Sequence, residues 1–397
     1  MCTRLITLLM FFSYTGFAEV DYEKMLHSSC KFYDFMRSPN GVYFDNIRNS
    51  TPDSLPRKNM ISSASTGAGL ISLTIAHELG FDENAEKKVI ASLRFLNGKE
   101  KVKPVRNKNG LFLHFFDWQT GDFHQREFST IDTALLISGA IFCKNVFDNS
   151  EIKNEVDQLW NSIKWQTFKV DDMQYFMTQD EDGRSLTKTK MFNEYILLAD
   201  YCSIASGSKP LQINENWIQC RIEGTGISVL SDLKNRMLPL FTFQFPLYLS
   251  PVRTNENSFL NHSLRAAKAD RQWWENKIKV TGIWGSSAGS AIHGYGVDAT
   301  GKNHHLNIHA PSVMGFAPFR KQYKDDFETI LKTYPAIIQK HKNWEIAWRH
   351  SLKNPDWPAR TIQSIDLSPL LYGLAALHPK LGYKFFKTNS QYEPVRD

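Results

Sequence analysis

Apolar residues recur at three- and four-residue spacings along most of this chain, and this period restricts it to a fold of packed α-helices. In the first candidate helix, Tyr22, Met25, Leu26 and Tyr33 share one face, and a Ser-Pro-Asn-Gly turn at residues 38–41 ends the pattern. The same period predicts further helices at residues 61–79, 84–96, 130–147, 152–163, 187–205, 258–274, 323–334, 336–341 and 368–377. The sequence therefore predicts an all-α protein of about 10–12 helices.

Aromatic loops and short extended pieces separate these helices, at residues 110–117, 165–176, 241–248 and 279–295. Loops longer than about 12–15 residues are usually functional in a compact domain, so we expect these aromatic segments to gather at one place. No internal repeat and no Pro/Ser-rich linker divides the chain, which predicts a single domain over residues 19–397. Hydrophobic residues make up 42% of the chain and aromatic residues 13%, and this composition excludes a disordered protein.

The charge of the chain is nearly balanced, with 47 basic and 41 acidic residues and a net charge of +6. The densest basic patch, at residues 99–108, is short and is not extended by its neighbours. A nucleic-acid-binding protein concentrates its basic residues more strongly than this, so we expect no nucleic-acid partner.

The first 18 residues have the pattern of a signal peptide. Arg4 precedes an apolar stretch at residues 5–17, and Gly16 and Ala18 are the small residues expected before a cleavage site. The stretch is too short to span a bilayer. We therefore expect cleavage after Ala18 and export to the periplasm or the medium, without stable membrane insertion. We also expect the mature protein to be a monomer.

Carboxylates and aromatic residues are concentrated between residues 110 and 143. Glu127 and Asp132 follow an aromatic segment there, and Ser129 with Asp132 fits a helix capping box in front of an apolar run. The capping role accounts for Asp132 locally. An alternative is that the helix start directs Asp132 and Glu127 into a cleft, where apolar surroundings raise a carboxyl pKa for glycoside hydrolysis.

Glu194 is a second isolated carboxylate, within an apolar pattern predicted to be helical at residues 192–199. A charge among such neighbours is costly unless it is paired or used. Either Glu194 is catalytic, or it forms an ion pair with Lys188 or Lys190 on an exposed face.

Three other patterns carry weaker functional signals. A G-x-S-x-G match centred on Ser287 lies in a glycine-rich loop without the strand-and-helix context of a serine hydrolase, and we interpret it as a chance match. His304, His305 and His309 have no carboxylate or cysteine at ligand spacing, so we expect neither a metal nor a cofactor. Trp344 and Trp348 are four residues apart, which would place them on one face of a helix.

The order of motifs resembles the glycoamylase-like domain of bacterial carbohydrate enzymes, a group that includes β-1,2-glucan hydrolases. The resemblance covers residues 62–376 and rests on ten segments: residues 64–80, the helix after them that ends near Phe95, His114-Phe115-Phe116-Asp117 with Thr120-Gly121, EFSTIDTALL at 127–136, Asn193-Glu194-Tyr195, residues 240–253, residues 259–271, Trp284-Gly285 with Gly294-Tyr295, APSVMGFAPF at 310–319, and Ser364-Ile365-Asp366. It implies a toroid of six inner and six outer helices, with a hydrolytic cleft formed by long loops at one end.

The resemblance also implies site residues. Glu127, Asp132 and Glu194 fall on acidic positions of the family pattern, and Arg253 falls near a substrate-facing segment. The chain departs from the pattern before Arg253, where no acidic residue stands, and after Asp366, where Leu-Ser-Pro replaces the glutamine and glycine frequent in relatives. These departures leave a sugar-binding protein without turnover as an alternative.

We predict from the sequence an exported glycoside hydrolase that acts on a glucan, in particular β-1,2-glucan, by an inverting two-carboxylate mechanism. Glu194 is assigned as the acid, Asp132 as the base and Glu127 as support, and the reverse assignment of acid and base is the alternative. The residues expected to bind the saccharide are His114, Asp117, Trp118, Arg253, Trp284, Tyr295 and Trp344. A polysaccharide lyase on the same scaffold and a serine esterase that uses Ser287 are the remaining alternatives.

Overall fold

The computed structural model describes residues 20–49, 60–213, 217, 219–232, 234, 237–300 and 305–394. The predicted signal peptide and its cleavage site at Ala18 lie outside the described residues. About 47% of the protein is helical. The helices are α1 (Tyr22–Phe35), α2 (Ser63–Leu79), α3 (Ala85–Leu96), α4 (Thr130–Val146), α5 (Ser150–Asn161), α6 (Ile196–Ser206), α7 (Phe241–Leu249), α8 (Asn257–Ile278), α9 (Ala310–Met314), α10 (Lys321–Thr333), α11 (Ser364–Leu377) and α12 (Gly382–Asn389).

Short strands connect these helices and form small antiparallel sheets of two or three strands. The pairs are β1 with β15, β2 with β3, β7 with β8, β9 with β10, β11 with β14 and β12 with β13, and β4, β5 and β6 form one sheet. Their bounds are β1 (Asn46–Arg48), β2 (Met60–Ser62), β3 (Phe115–Asp117), β4 (Phe128–Ser129), β5 (Gln174–Gln179), β6 (Ser185–Lys190), β7 (Gln219–Arg221), β8 (Ser228–Leu230), β9 (Ala288–Ala291), β10 (Gly294–Val297), β11 (Asn307–His309), β12 (Ile338–His341), β13 (Trp344–Ala347), β14 (Arg349–Ser351) and β15 (Thr361–Gln363).

The twelve described helices divide into two kinds by burial. Most residues of α2, α4, α6, α7, α9 and α11 are buried, whereas α1, α3, α5, α8, α10 and α12 keep an exposed face. A helix that is apolar on all sides is stable only in the interior, and an amphipathic helix covers it from outside. The buried helices pack in the order α2, α4, α6, α7, and α11 contacts α2, α7 and α9.

Small residues allow α2 and α4 to approach closely. A Cβ on Gly67 would lie 2.1 Å from the carbonyl oxygen of Leu135, and one on Gly139 would lie 2.3 Å from the carbonyl oxygen of Gly67. Either side chain would collide with the backbone of the facing helix, so only glycine permits this contact. The small residues of α2 and α4 thus let the two helices pack with their backbones in contact.

The helical period locates most elements correctly, but it misassigns three segments and does not predict α9 or α12. Residues 187–190 belong to β6, so the helix predicted at 187–205 begins only at Ile196. Residues 338–341 form β12 rather than a helix, and Trp344 lies in β13, paired with His341 across a tight turn. Residues 241–249 form α7 although an extended segment was predicted, because aromatic residues on both sides of this helix are buried.

Candidate active site

A cavity of about 890 Å³ lies where the N-terminal ends of five buried helices converge. Its lining includes residues at or just before the first turns of α2, α4, α6, α7 and α11, together with the β9–β10 hairpin and the paired strands β1 and β15. A helix N-terminus presents free backbone N–H groups and a partial positive charge. This end of the helices therefore favours carboxylates, and four line the cavity: Asp45, Asp132, Glu194 and Asp366.

Asp132 combines the two roles that the sequence left open. Ser129 is the N-cap of α4: its hydroxyl accepts a hydrogen bond from the backbone N–H of Asp132 and donates one to the Asp132 carboxylate. The Ser129 half of the predicted capping box is confirmed. The reciprocal bond is not formed, because the backbone N–H of Ser129 donates to the carbonyl oxygen of Phe112, and the Asp132 carboxylate lines the cavity instead. His114 Nε2 lies 3.6 Å from Asp132 Oδ1, so both oxygens of Asp132 have a polar neighbour.

Glu194 lies in the turn directly before α6, not within a helix as the sequence predicted. Burial raises the pKa of its carboxyl to about 7, and the nearby carboxylates of Asp232 and Asp132 act in the same direction. No ion pair joins Glu194 to Lys188 or Lys190 in the described structure, and the exposed-face alternative is therefore wrong. Glu194 has the environment of a carboxylic acid that stays protonated near neutral pH.

Asp366 is a site residue that we did not assign a role from the sequence, although it belongs to one of the family-like segments. It stands in the first turn of α11, as Asp132 does in α4, and this local signal was available. Burial raises its pKa to about 7, Arg349 opposes that rise and Asp45 adds to it. The hydroxyl of Tyr295 lies 3.4 Å from Oδ1, and Oδ2 has no hydrogen-bond partner among the described residues.

Asp45 also lines the cavity, and no sequence motif indicated it. It precedes β1, which pairs with β15 directly ahead of α11, and this pairing brings Asp45 near Asp366. Burial raises the pKa of Asp45, while a hydrogen bond of 2.6 Å from Asn46 and the proximity of His114 lower it. Asp45 is thus a third acidic group with a raised pKa in the same cavity.

Aromatic and basic side chains form the walls around these carboxylates. Tyr295, which the sequence predicts to bind the saccharide, is the exposed aromatic residue of the β9–β10 hairpin. It lines the cavity together with Trp357. His114 also lies in the lining, stacked on Phe115 with ring centroids 3.8 Å apart. Aromatic faces beside acidic groups suit a sugar ring, which presents apolar C–H faces and polar hydroxyls.

Three predicted site residues lie near this region but do not line the cavity. Glu127 is exposed in the loop before β4, where its carbonyl oxygen accepts a hydrogen bond from the backbone of His114. Asp117 closes a turn by accepting a hydrogen bond of 2.7 Å from the N–H of Gln119. Trp118 packs its ring against the core. The three residues are not part of the cavity lining, and their predicted roles in the site stay predictions.

Arg253 is predicted from the sequence to bind the saccharide, but the structure buries it in an ion pair. Its guanidinium donates two hydrogen bonds to Asp200, at 2.6 and 3.0 Å, and a further one to Glu256. The side chains of Arg253 and Asp200 are both fully buried. Arg253 therefore joins α6 to the start of α8 and does not reach the cavity.

Replacing Arg253 with methionine is expected to lower the free energy of unfolding by about 3–5 kcal/mol, because Asp200 would keep a buried charge without a partner. Chemical denaturation monitored by circular dichroism measures this loss. Arg94→Met is the matched control, since Arg94 forms only exposed ion pairs with Glu100 and Glu151 and its loss should change stability little. Unchanged stability of the Arg253 variant with weakened saccharide binding would return Arg253 to the site.

Trp284 and Trp344, which were also predicted to bind the saccharide, are buried in the core. Trp284 is fully buried, and its indole N–H donates a hydrogen bond of 2.8 Å to Asp326. Trp344 is buried in β13 with its ring against the edge of Phe32, at 5.1 Å between centroids. Both tryptophans pack in the core and do not line the cavity.

The remaining sequence signals do not form a second site. Ser287 is buried in the loop before β9, outside the cavity lining, and a strand follows it where a nucleophile elbow would need a helix. His305 pairs with Asp298 at 2.9 Å and His309 caps α9, whereas His304 lies outside the described residues. No group of three or more potential metal ligands occurs within the described part of the chain.

No protein-family model matches this sequence, and no curated protein is significantly similar to it. Solved structures are similar over nearly the whole chain. An endo-β-1,2-glucanase from Chitinophaga pinensis, in complex with sophorotriose and glucose, has a TM-score of 0.75 at 17% identity and covers 93% of this chain and 95% of that chain. A β-1,2-glucanase from Parabacteroides distasonis has a TM-score of 0.70 at 16% identity, with 93% of this chain and 58% of that chain covered.

The chain has the fold of these β-1,2-glucanases. The resemblance inferred from the ordered motifs is therefore confirmed at the level of the fold. A D-mannose isomerase also shares it, with a TM-score of 0.58 at 10% identity and coverage of 89% of this chain and 96% of that chain. Because one fold carries both a glucanase and an isomerase, the fold alone does not determine the reaction, which depends on the side chains of the cavity.

Proposed function

We propose that this protein is an exported glycoside hydrolase that cleaves β-1,2-linked glucan with two carboxylates of the cavity. The observation that carries the proposal is the convergence of Asp132, Glu194 and Asp366, from three separate helix starts, on one aromatic-walled cavity. Raised carboxyl pKa values beside apolar walls are the arrangement that glycosidic cleavage requires. The likeness to glucanases that act on β-1,2-linked glucose supports this choice of linkage.

The proposal includes a six-hairpin (α/α)6 toroid as the scaffold. Six largely buried helices and six helices with an exposed face support it, as does the packing of α11 against α2 and α7. In such a toroid the inner helices start at one end, and their N-termini surround a common cleft. The four cavity carboxylates lie at this end.

Glu194 is the proposed general acid. Its carboxyl, protonated below a pKa of about 7, would donate its proton to the glycosidic oxygen as the bond to the anomeric carbon breaks. In an inverting reaction, a second carboxylate removes a proton from a water molecule, which attacks that carbon from the opposite face. The acid ends the step ionised and the base ends it protonated, so the charges balance.

Asp132 and Asp366 are the two candidates for the base. The sequence favoured Asp132, and this assignment stays a prediction. The contacts favour Asp366, because its Oδ2 accepts no hydrogen bond from the described residues, whereas both oxygens of Asp132 face the polar groups of Ser129 and His114. We therefore propose Asp366 as the base and Asp132 as the residue that orients His114 at the cavity wall.

The rate is expected to depend on pH with a narrow maximum near pH 7. Below this pH, Asp366 becomes protonated and cannot accept a proton; above it, Glu194 loses the proton that it must donate. Both limbs should approach a tenfold fall per pH unit beyond about pH 6 and pH 8. Measurement of kcat/KM against pH tests this, and a flat plateau from pH 5 to 9 would contradict the assignment.

Product analysis tests the proposed function directly. Purified protein beginning at residue 19 is incubated with linear β-1,2-glucan, β-1,3-glucan, starch, maltooligosaccharides and peptidoglycan, and the products are separated by chromatography. We expect cleavage of β-1,2-glucan alone, with the α-anomer formed first when the reaction is followed by proton NMR, since inversion converts the β-linkage. A product that absorbs in the near ultraviolet would indicate a lyase.

Two further measurements could refute the hydrolase. Calorimetric binding of β-1,2-glucan that remains intact would indicate a sugar-binding protein. Labelling of Ser287 by a fluorophosphonate would support the esterase alternative, which the burial of Ser287 disfavours.

Export and oligomeric state are part of the proposal. The pattern at residues 1–18 supports a cleaved signal peptide, and N-terminal sequencing of the exported protein should begin at Glu19. Within the described ranges, no helix has both the length and the apolar character needed to cross a bilayer. We expect a monomer by size-exclusion chromatography with light scattering.

A further inference from the structure

Arg349 is a buried cation that the proposed mechanism does not use. It lies in β14, directly opposite His309 of β11, and its side chain is fully buried. One guanidinium nitrogen, Nη2, donates a hydrogen bond of 2.8 Å to Asp298 Oδ2. The other two, Nε and Nη1, have no hydrogen-bond partner among the described residues. Leaving buried donors unpaired is costly, so a purely structural ion pair does not account for this geometry.

The guanidinium lies against the strand that forms one wall of the cavity. A Cβ built on Gly289 of β9 would be 2.8 Å from Arg349 Nη1, and Gly289 has a φ of +136° that side chains rarely adopt. The next residue, Ser290, lines the cavity, and its N–H donates a hydrogen bond of 3.0 Å to Gln363 Oε1. Gln363 is the N-cap of α11, the helix that carries Asp366. The segment Gly289-Ser290 therefore contacts Arg349 on one side and the N-cap of the Asp366 helix on the other.

The described residues whose charges or hydrogen bonds act on Asp366 come from four elements, and Arg349 is the one cation among them. Arg48 and Arg360 line the same cavity. Tyr295 of β10 lies at its Oδ1, Asp45 approaches from the segment before β1, and Tyr33 of α1 lies on the interior side. Burial and Asp45 both disfavour the charged form of Asp366, whereas Arg349 favours it. Arg349 itself is surrounded by Asp298, Asp366, Tyr295 and the uncharged His309.

We infer that Arg349 is a positioning residue, whose positive charge holds Asp366 in its charged, proton-accepting form. Asp298 sets the strength of this interaction between Arg349 and Asp366. This inference rests on the proposed function for its catalytic consequence, but the interaction between the two side chains does not. Opposite charges attract strongly in a buried setting of low dielectric constant. Asp298 neutralises part of the guanidinium charge, so removal of Asp298 alone should strengthen the effect of Arg349 on Asp366.

The test is a carboxyl-carbon NMR titration of Asp366, whose signal is identified by its absence from Asp366→Asn protein. The double variant Arg349→Met/Asp298→Asn removes both buried charges, which avoids an unpaired charge and favours folding. It should raise the pKa of Asp366 by about one pH unit or more. Asp298→Asn alone should lower that pKa. Arg94→Met, at an exposed ion pair, is the control and should leave it unchanged.

Opposite shifts in the two variants are the decisive result, because a general loss of packing would not move the pKa in both directions. Shifts of the same sign, or no shift in folded variants, would overturn the inference. Under the proposed function, the acidic limb of the kcat/KM profile should shift in pH together with the Asp366 pKa measured by NMR. Opposite NMR shifts in a protein that cleaves no glucan would support the coupling of Arg349 to Asp366 and refute the hydrolase.

Discussion

Glu194→Gln is expected to lower kcat on β-1,2-glucan by about 10²–10⁴-fold, the usual contribution of a positioned proton donor. The amide has nearly the shape of the carboxyl but cannot supply a proton to the glycosidic oxygen. Because the wild-type carboxyl is buried and has a pKa raised to about 7, the neutral amide should also fold without loss of stability. Initial rates at saturating glucan and calorimetric binding measure the two effects separately.

The matched control is Glu83→Gln, an exposed carboxylate at the start of α3 that is remote from the cavity lining. It should retain the wild-type kcat and melting temperature. A Glu194 variant that keeps near-normal turnover would show that another group protonates the leaving oxygen. A glucan with a good leaving group, such as an aryl glycoside, should recover much of the lost rate, because it needs less protonation.

Asp366→Asn is expected to lower kcat by a similar factor of about 10²–10⁴ while glucan binding persists, because the amide cannot accept a proton from water. Asp132→Asn provides the comparison. If Asp132 mainly supports the Ser129 cap of α4 and orients His114, its variant should lose about 1 kcal/mol of stability and less of the rate than the Asp366 variant. Rates and denaturation curves of the two variants, measured together, assign the base.

The reverse ranking would restore the sequence-based assignment of Asp132 as the base. Azide gives an independent readout, since a small anion can replace the missing base in a carboxylate-deficient variant. Azide should accelerate Asp366→Asn and form a glycosyl azide of inverted configuration. Rescue of Asp132→Asn alone would contradict the roles proposed for both residues.

The helices and one of the acidic positions could be predicted from the sequence because their causes are local. The apolar period marks the buried helices, and the capping box at Ser129 and Asp132 depends on residues three apart. Asp366 also stands in the first turn of its helix, α11, where the helix N-terminus favours an acidic residue. The strand at residues 185–190 was missed, because its pairing with β5 depends on a partner strand as well as on its own residues.

The roles of individual polar and aromatic residues depended on long-range contacts. Arg253 and Trp284 belong to segments that resemble a saccharide site, yet the structure turns them toward buried partners, Asp200 and Asp326. Their burial could not be inferred from the sequence, since each partner lies more than 40 positions away. Asp45 reached the cavity without any motif, through the pairing of β1 with β15.

The sequence by itself determined that this chain forms apolar helices covered by amphipathic ones, and that carboxylates stand near helix starts. Only the tertiary structure decided which carboxylates meet. Residues 45, 132, 194 and 366 are distant along the chain, and they converge because the buried helices pack side by side with their N-termini at one end. Periodicity is a property of neighbouring residues, whereas a cleft is a property of how distant helices are packed.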